Sequence, residues 1–296
     1  RTGCKAKGRR AMDYNLISHE IPEDITCTHK TSFAGVTTDY HSHGNYEIYL
    51  LLNGETNYYF DQHGYHMTRG KGIFIRPAVF HRLEYLSEDI YERINIHIRA
   101  SYFKTLNMGG TDLGEIIAGG EGSNRGYAVF TLPENQIGPF VKKSHELEKA
   151  LRMEQYGDEI LADCLVRQLL VDINRILRTR EQPEAPSISM PPIVSDLTAY
   201  IHEQLTNDLS IETLAAIFHH NGHYISRRFK ECMGISLQQY IICKRLDAAK
   251  QYLSAGYPLI KACEWSGFSD YSNFAKTFTK YTGVSPKKYQ KSVLTK

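Results

Sequence analysis

The 296-residue chain has no apolar run long enough to cross a bilayer, which argues against an integral membrane protein. Residues 1–10 are basic and glycine-containing rather than apolar, so no secretory leader is expected there. The first residue is Arg1 rather than Met, which reads as a trimmed chain. The six cysteines (Cys4, Cys27, Cys164, Cys232, Cys243, Cys263) include no C-x-x-C pair. That spacing argues against zinc-ribbon and dithiol-redox chemistry and favours buried thiols in a reducing cytoplasm. Tryptophan occurs once, as Trp265. Net charge is only +2, too small to imply a polyanionic partner by itself.

The distribution of charge says more than its sum. From residue 193 onward there are 13 Lys and Arg against 8 Asp and Glu, a net +5; the preceding residues hold 22 against 25, a net −3. A basic C-terminal third attached to a mildly acidic remainder fits a DNA-binding module carried by another domain.

That third repeats itself. Ile225, Arg227, Phe229, Gly234, Ser236 and Tyr240 each have a like residue 49 positions on: Phe274, Lys276, Phe278, Gly283, Ser285 and Tyr289. Apolar falls on apolar, cation on cation and glycine on glycine, as expected of a duplicated structural unit. Each copy reads as helix, turn, helix. Leu214, Ala215 and Phe218 support the first, with Asn221 as N-cap; Leu259, Ala262 and Cys263 support the second, with Asp270 as N-cap. Ile225, Phe229, Met233, Phe274 and Phe278 are expected inward, and Trp265 is assigned to the core with the phenylalanines. His223, Ser226, Arg227 and Lys230 face out in the first copy, and Tyr271, Ser272 and Lys276 in the second. A short helix with a basic outer face suits the major groove, and two on one domain could enter successive grooves about 34 Å apart. Amphipathic helices of an ordinary bundle are the alternative, and duplication argues against it. Ser236 with Gln239 predicts a capping box opening a long connecting helix, Ser236 to Leu253.

Arg227-Arg228-Phe229-Lys230 with Gly234-Ile235-Ser236, then Lys244-Arg245-Leu246-Asp247-Ala248-Ala249, Gly267-Phe268-Ser269-Asp270 and Gly283-Val284-Ser285-Pro286-Lys287-Lys288-Tyr289 resemble the signature of the AraC/XylS family of bacterial transcription regulators. The resemblance covers about a hundred residues. It implies a two-motif DNA-binding domain, a homodimer, double-stranded DNA as partner and contact with RNA polymerase. His219 stands where this family often has Gly, and His tolerates a left-handed backbone.

From Phe33 to Arg99 short aromatic and β-branched runs alternate with turns such as Asn53-Gly54 and Arg69-Gly70-Lys71-Gly72. Candidate strands are 33–40, 46–53, 55–61, 72–76, 81–85 and 91–99, the makings of a small barrel or sandwich. In the last, Ile94, Ile96 and Ile98 alternate with Asn95, His97 and Arg99 as in a half-buried strand. His41, His43 and Glu47 share parity, so an extended backbone points all three to one face, the expected barrel interior. With Gly54, Pro77 and His81 they resemble the cupin pattern, and AraC-family proteins often carry a cupin-like N-terminal domain. Three roles remain open for His41, His43, Glu47 and His81: ligands for a divalent transition metal, hydrogen-bonding groups for a small organic ligand, or structural polar groups. The ligand pocket is preferred, with a sugar-like effector among its candidates, no cofactor and no catalysis.

The expected fold class is α+β. Residues 1–30 form an irregular lead-in, 31–133 a cupin-like sensor barrel, 134–178 an antiparallel helical pair contributing to a dimer, 179–192 an exposed Pro-rich linker, and 193–296 the double helix-turn-helix domain. Within the pair, Ile160, Leu161, Cys164, Leu165, Leu169 and Ile173 are expected inward.

Overall fold

In the computed structural model, residues 21, 23–33, 37–38, 40–61, 63–86, 90–118, 126–179 and 184–294 are described. β1 (Ile25–Ser32), β2 (Asn45–Asn53), β3 (Thr56–Phe60), β4 (His63–Met67), β5 (Lys71–Ile75), β6 (His81–Tyr85) and β7 (Tyr91–Arg99) come first. Two short helices, α1 (Ala100–Leu106) and α2 (Glu115–Ala118), precede β8 (Tyr127–Thr131). Two antiparallel sheets result, one ordered β1-β7-β2-β5-β8 and the other built on β6-β3-β4.

α3 (Glu134–Ala150) and α4 (Asp158–Arg178) pack on each other, and α3 also packs on β1. Ile48, Leu50, Ile94, Ile96 and Ile98 share one core with Ile137, Phe140, Leu147, Leu165 and Leu169 of this pair. Tyr49, Leu51, Tyr58, Phe60, Ile73 and Ile75 form a second core. Both faces of β2 are therefore buried, one beneath the helices and one inside the barrel. This explains its nearly continuous apolar text, whereas β7 alternates because its inward face is polar.

Four details depart from the sequence expectation. β1 lies largely within the stretch read as irregular, because its partner β7 sits far along the chain and supplies the whole ladder from Ile25↔Ile98 to Ser32↔Tyr91. No described residue of 33–40 is in a strand, while His63–Met67, outside every candidate strand, pairs with β3. Ile160, Leu161 and Cys164 are exposed rather than inward; Ala162, Val166 and Leu170 are buried with Leu165, Leu169 and Ile173, which rotates the apolar stripe. Finally, the Pro-rich stretch is not wholly free. Its Ile188–Ser189 segment, β9, adds to the edge of the second sheet against His63–Gly64. An added Cβ on Gly64 would lie 2.9 Å from the Ile188 side chain, so the glycine permits that approach.

The C-terminal helices are α5 (Pro192–Glu203), α6 (Ile211–Ile217), α7 (Gly222–Met233), α8 (Leu237–Ser254), α9 (Leu259–Trp265), α10 (Tyr271–Thr282) and α11 (Pro286–Leu294). α8 runs through the middle of their core and also meets the barrel. Phe80 packs on Tyr40 and edge-on to Tyr240 at 5.8 Å, and Lys244 Nζ reaches Asp61 Oδ2 at 2.5 Å. The Ser42 hydroxyl donates to the Asp247 carboxylate, 3.3 Å away at Oδ2.

Asp247 makes this contact pH-dependent. Burial raises its pKa from 3.8 to about 6, against the opposing pull of Lys250, Lys244 and the Ser42 hydrogen bond, while Asp61 adds to the rise. The folded protein therefore holds the proton more tightly than the unfolded chain, and stability falls as pH rises from about 4 to about 6. Asp247→Asn is expected to stabilise the protein by about 2–3 kcal/mol at pH 7.5, two pKa units at 1.36 kcal/mol each. The gain should shrink below pH 6 and vanish near pH 4, which thermal melts across that range would read.

Candidate nucleic-acid interface and histidine cluster

The two copies in the C-terminal domain use the same devices at the points that aim α7 and α10. Asn221 Oδ1 accepts from the His223 N–H, and Asp270 Oδ2 from the Asn273 N–H, so each helix starts on a side-chain cap. Each ends on a glycine with φ +72°, Gly234 and Gly283, whose N–H closes on the Lys230 and Thr279 carbonyls. Phe229 meets Tyr240 edge-on at 5.3 Å; Phe278 meets Tyr289 edge-on at 5.6 Å. All three inward residues of α7, Ile225, Phe229 and Met233, are fully buried, as are Phe274 and Phe278 of α10.

The turns differ by one residue. His219, with φ +53°, takes the left-handed position in the first, as its side chain allows, and Gly267 (φ +88°) takes it in the second. A Cβ on Gly267 would lie 2.4 Å from the Leu205 carbonyl oxygen, so the second turn demands glycine for both space and backbone. The capping box of α8 is present, with the Gln239 N–H on Ser236 Oγ and the Ser236 N–H on Gln239 Oε1.

His223, Arg227, Lys230, Tyr271, Ser272 and Lys276 are exposed and Ser226 half-buried. The Arg227 head group lies 3.7 Å from Glu231, one turn on. Trp265 departs from expectation: it is 43 % exposed, edge-on to Tyr252 and Tyr257 at the surface. The small Cys263 and Ala262 fill the helix crossing in its place.

In the barrel, the fold brings His41, His43, Glu47 and His81 together. The His81 ring lies 4.4 Å from that of His41 and 5.2 Å from that of His43. Glu47 Oε2 is 2.8 Å from His43 Nε2 and 3.3 Å from His81 Nε2. Burial alone would push the Glu47 carboxyl up, but contact with His43 and His81 and the nearby His97 ring hold it well below the usual range. Sequence reading missed His97, which it placed on the polar outer face of β7. The register Glu47↔His97 places it beside the carboxylate, with Nε2 3.9 Å from Glu47 Oε1, and Asn95 donates to the same oxygen. The isoleucine face of β7 is buried under α3 and α4, so the alternate, polar face is the lumen. Burial lowers the His97 pKa, its largest cause, against the pull of Glu47.

The donor set suits a divalent transition metal. His41, His43 and His81 have ligand atoms within 4.8 Å of one another, and so do His43, Glu47 and His97. Imidazole nitrogens with one carboxylate favour zinc, iron, cobalt or nickel over calcium or magnesium. A cleft of about 550 Å³ beside α3 and one of about 430 Å³ between the barrel and α8 lie elsewhere; neither is lined by His43 or Glu47.

Comparison with known proteins agrees with this architecture. Residues 26–170 match the AraC-like ligand binding domain, and residues 214–292 match a helix-turn-helix domain. The chain belongs to the AraC/XylS family of transcriptional regulators. It is similar to the probable transcriptional regulator LumQ of Photobacterium leiognathi, 29 % identical over half of this chain and 60 % of LumQ. It is 40 % identical to the uncharacterized regulator YobQ of Bacillus subtilis over 32 % of this chain and 40 % of YobQ. The regulator YfiF of Bacillus subtilis is similar along nearly the whole length, 22 % identical over 92 % of this chain and 86 % of YfiF. Against LumQ and YobQ the chain thus spans about half of the relative's length. No helix among the described residues is long and apolar enough to cross a membrane.

Proposed function

We propose that this AraC-family chain is a sequence-specific, DNA-binding transcription regulator, not an enzyme, whose grip on DNA is set by a small ligand in the N-terminal barrel. The observation that carries the reading is the duplicated pair of capped helices, α7 and α10, which leave cationic faces exposed while their aromatic faces are buried. Arg227, with His223, Ser226 and Lys230, reads one major-groove segment; Lys276, with Tyr271 and Ser272, reads the next. Some of these contact phosphate alone and position the protein without specifying sequence. His41, His43, Glu47 and His81 hold the effector. The exposed Ile160 and Leu161 on α4 offer a surface for a second copy in the cytoplasm, and RNA polymerase is the further partner the family suggests. Among the described residues, no lining at the histidines selects a sugar-like molecule in particular.

The barrel touches α8 directly through Ser42, Asp61 and Phe80, so a change at the effector site has a short route to the helix that spaces the two readers. Retaining random double-stranded fragments on the purified chain and sequencing them tests the reading. Enrichment should converge on two short blocks about 10 base pairs apart. Uniform retention of all sequences would overturn it.

A further inference from the structure

We propose that Arg245 is a positioning residue for DNA reading. Its guanidinium ties the first helix-turn-helix unit to the second and so fixes the phase at which α7 and α10 meet the duplex. This rests on the reading of the two helices as paired groove readers and names what sets their mutual geometry.

The connecting helix holds the two units together through Tyr240, Ile241, Leu246, Ala249 and Leu253, all buried. Apolar burial is non-directional, whereas hydrogen bonds are directional and fix an angle more sharply. Arg245, at the middle of α8, supplies them. Its Nε–H donates to the Leu205 carbonyl at 3.1 Å and its Nη2–H to the Asn207 carbonyl at 2.9 Å. Both acceptors lie in the turn between α5 and α6, the two helices of the first unit on which α7 packs. Two donors fixed in one plane, gripping carbonyls two residues apart, select one orientation of that turn against α8. A lysine carries a point charge on a flexible stem and has no such fork.

The same turn meets the second unit. A Cβ on Gly267 would lie 2.4 Å from the Leu205 carbonyl oxygen, 2.8 Å from Arg245 Nε and 3.1 Å from Thr206 Cα. Gly267 lies in the turn that leads to the Asp270 cap of α10. The Leu205 carbonyl is thus wedged between α8 and the start of the second reader, and Arg245 fills the corner where the three segments converge. Burial there pulls the guanidinium pKa below its ordinary value, against the nearby Asp208 carboxylate. A partly desolvated cation is costly unless its hydrogen bonds are made, which favours the clamped arrangement over a loosened one.

Arg245 also stands outside the repeat. Forty-nine residues on is Leu294, which carries no such donors, so the clamp belongs to the joint between the copies and not to either copy. The two readers address groove segments about 34 Å apart, so a small tilt at this joint becomes a large displacement at the bases.

Two measurements on the full chain test the clamp. Without DNA, hydrogen exchange is followed at the turn amides: Asn207, bonded to the Gln204 carbonyl, Gly267 to that of Glu264, and Phe268 to that of Cys263. Arg245→Ala should speed exchange about tenfold at both turns and leave the amides of β7 as they are. Unchanged exchange at either turn overturns the clamp. With DNA, the enriched two-block sequence is compared with versions whose spacer is one base pair longer or shorter, turning the second block by about 34–36°. DNA holding a single block completes the set. The wild-type chain should lose about tenfold or more on either change of spacing. Arg245→Ala should weaken binding at the parent spacing about tenfold, keep single-block affinity within about threefold, and flatten the spacing penalty. If that variant does not fold, Arg245→Lys, which keeps the charge without the fork, should do the same in both measurements. A staple that only stabilised the fold would lower every affinity alike and keep the spacing penalty; that result overturns the positioning role. A wild-type chain that holds one block as tightly as two would instead count against the proposed function, and the exchange measurement then decides the clamp by itself.

Discussion

Arg227→Ala and Lys276→Ala, combined in one chain, should weaken binding to the specific site by about 2–6 kcal/mol. Each side chain is worth about 1–3 kcal/mol if it contacts a base, and effects at separated sites nearly add. Every 1.4 kcal/mol is tenfold, so the double variant loses between tens and thousands of fold in affinity. Both residues are exposed and neither supports a core, so melting temperature should hold. Fluorescence anisotropy on the enriched sequence and on a scrambled one separates two roles. A base-reading residue costs affinity on the first alone; a phosphate-binding one costs it on both and lowers the salt dependence. Unchanged affinity in both single variants would remove these residues from the interface.

The second large effect lies beneath the same faces. Phe229→Ala and Phe278→Ala should each destabilise the C-terminal domain by about 3–5 kcal/mol. Both rings are fully buried, and each packs edge-on against a tyrosine, Tyr240 or Tyr289. A domain of this size has about 5–15 kcal/mol in hand, so either change uses a large share of it. Denaturant melts followed by circular dichroism would read the loss. Because Tyr240 also packs on Phe80 of the barrel, Phe229→Ala should disturb the barrel contact as well, whereas Phe278→Ala should not. Equal effects on the two halves of the molecule would show that this aromatic chain does not couple them.

Legibility followed the range of the interactions. The caps Asn221, Asp270 and Ser236, the glycine exits Gly234 and Gly283, and the inward phenylalanines could all be read, since helices are specified by neighbours three and four residues away. Trp265 could not, because the crossing it adjoins is filled by smaller residues and its ring is left beside Tyr252 and Tyr257. Among strands, those closed by nearby turns were visible. β1 was not, since all its partners lie some sixty to seventy residues on.

The chain's text alone determined the duplicated helix-turn-helix unit, the outward placement of Arg227 and Lys276, and the shared parity of His41, His43 and Glu47, because each follows from a local period. Only the tertiary structure decided that His97 joins Glu47, that the isoleucine face of β7 lies under helices, and that Ser42 meets Asp247. Those three depend on strand register and on the docking of one domain against the other. Such contacts, formed across tens to hundreds of residues, leave no periodic trace in the order of the amino acids.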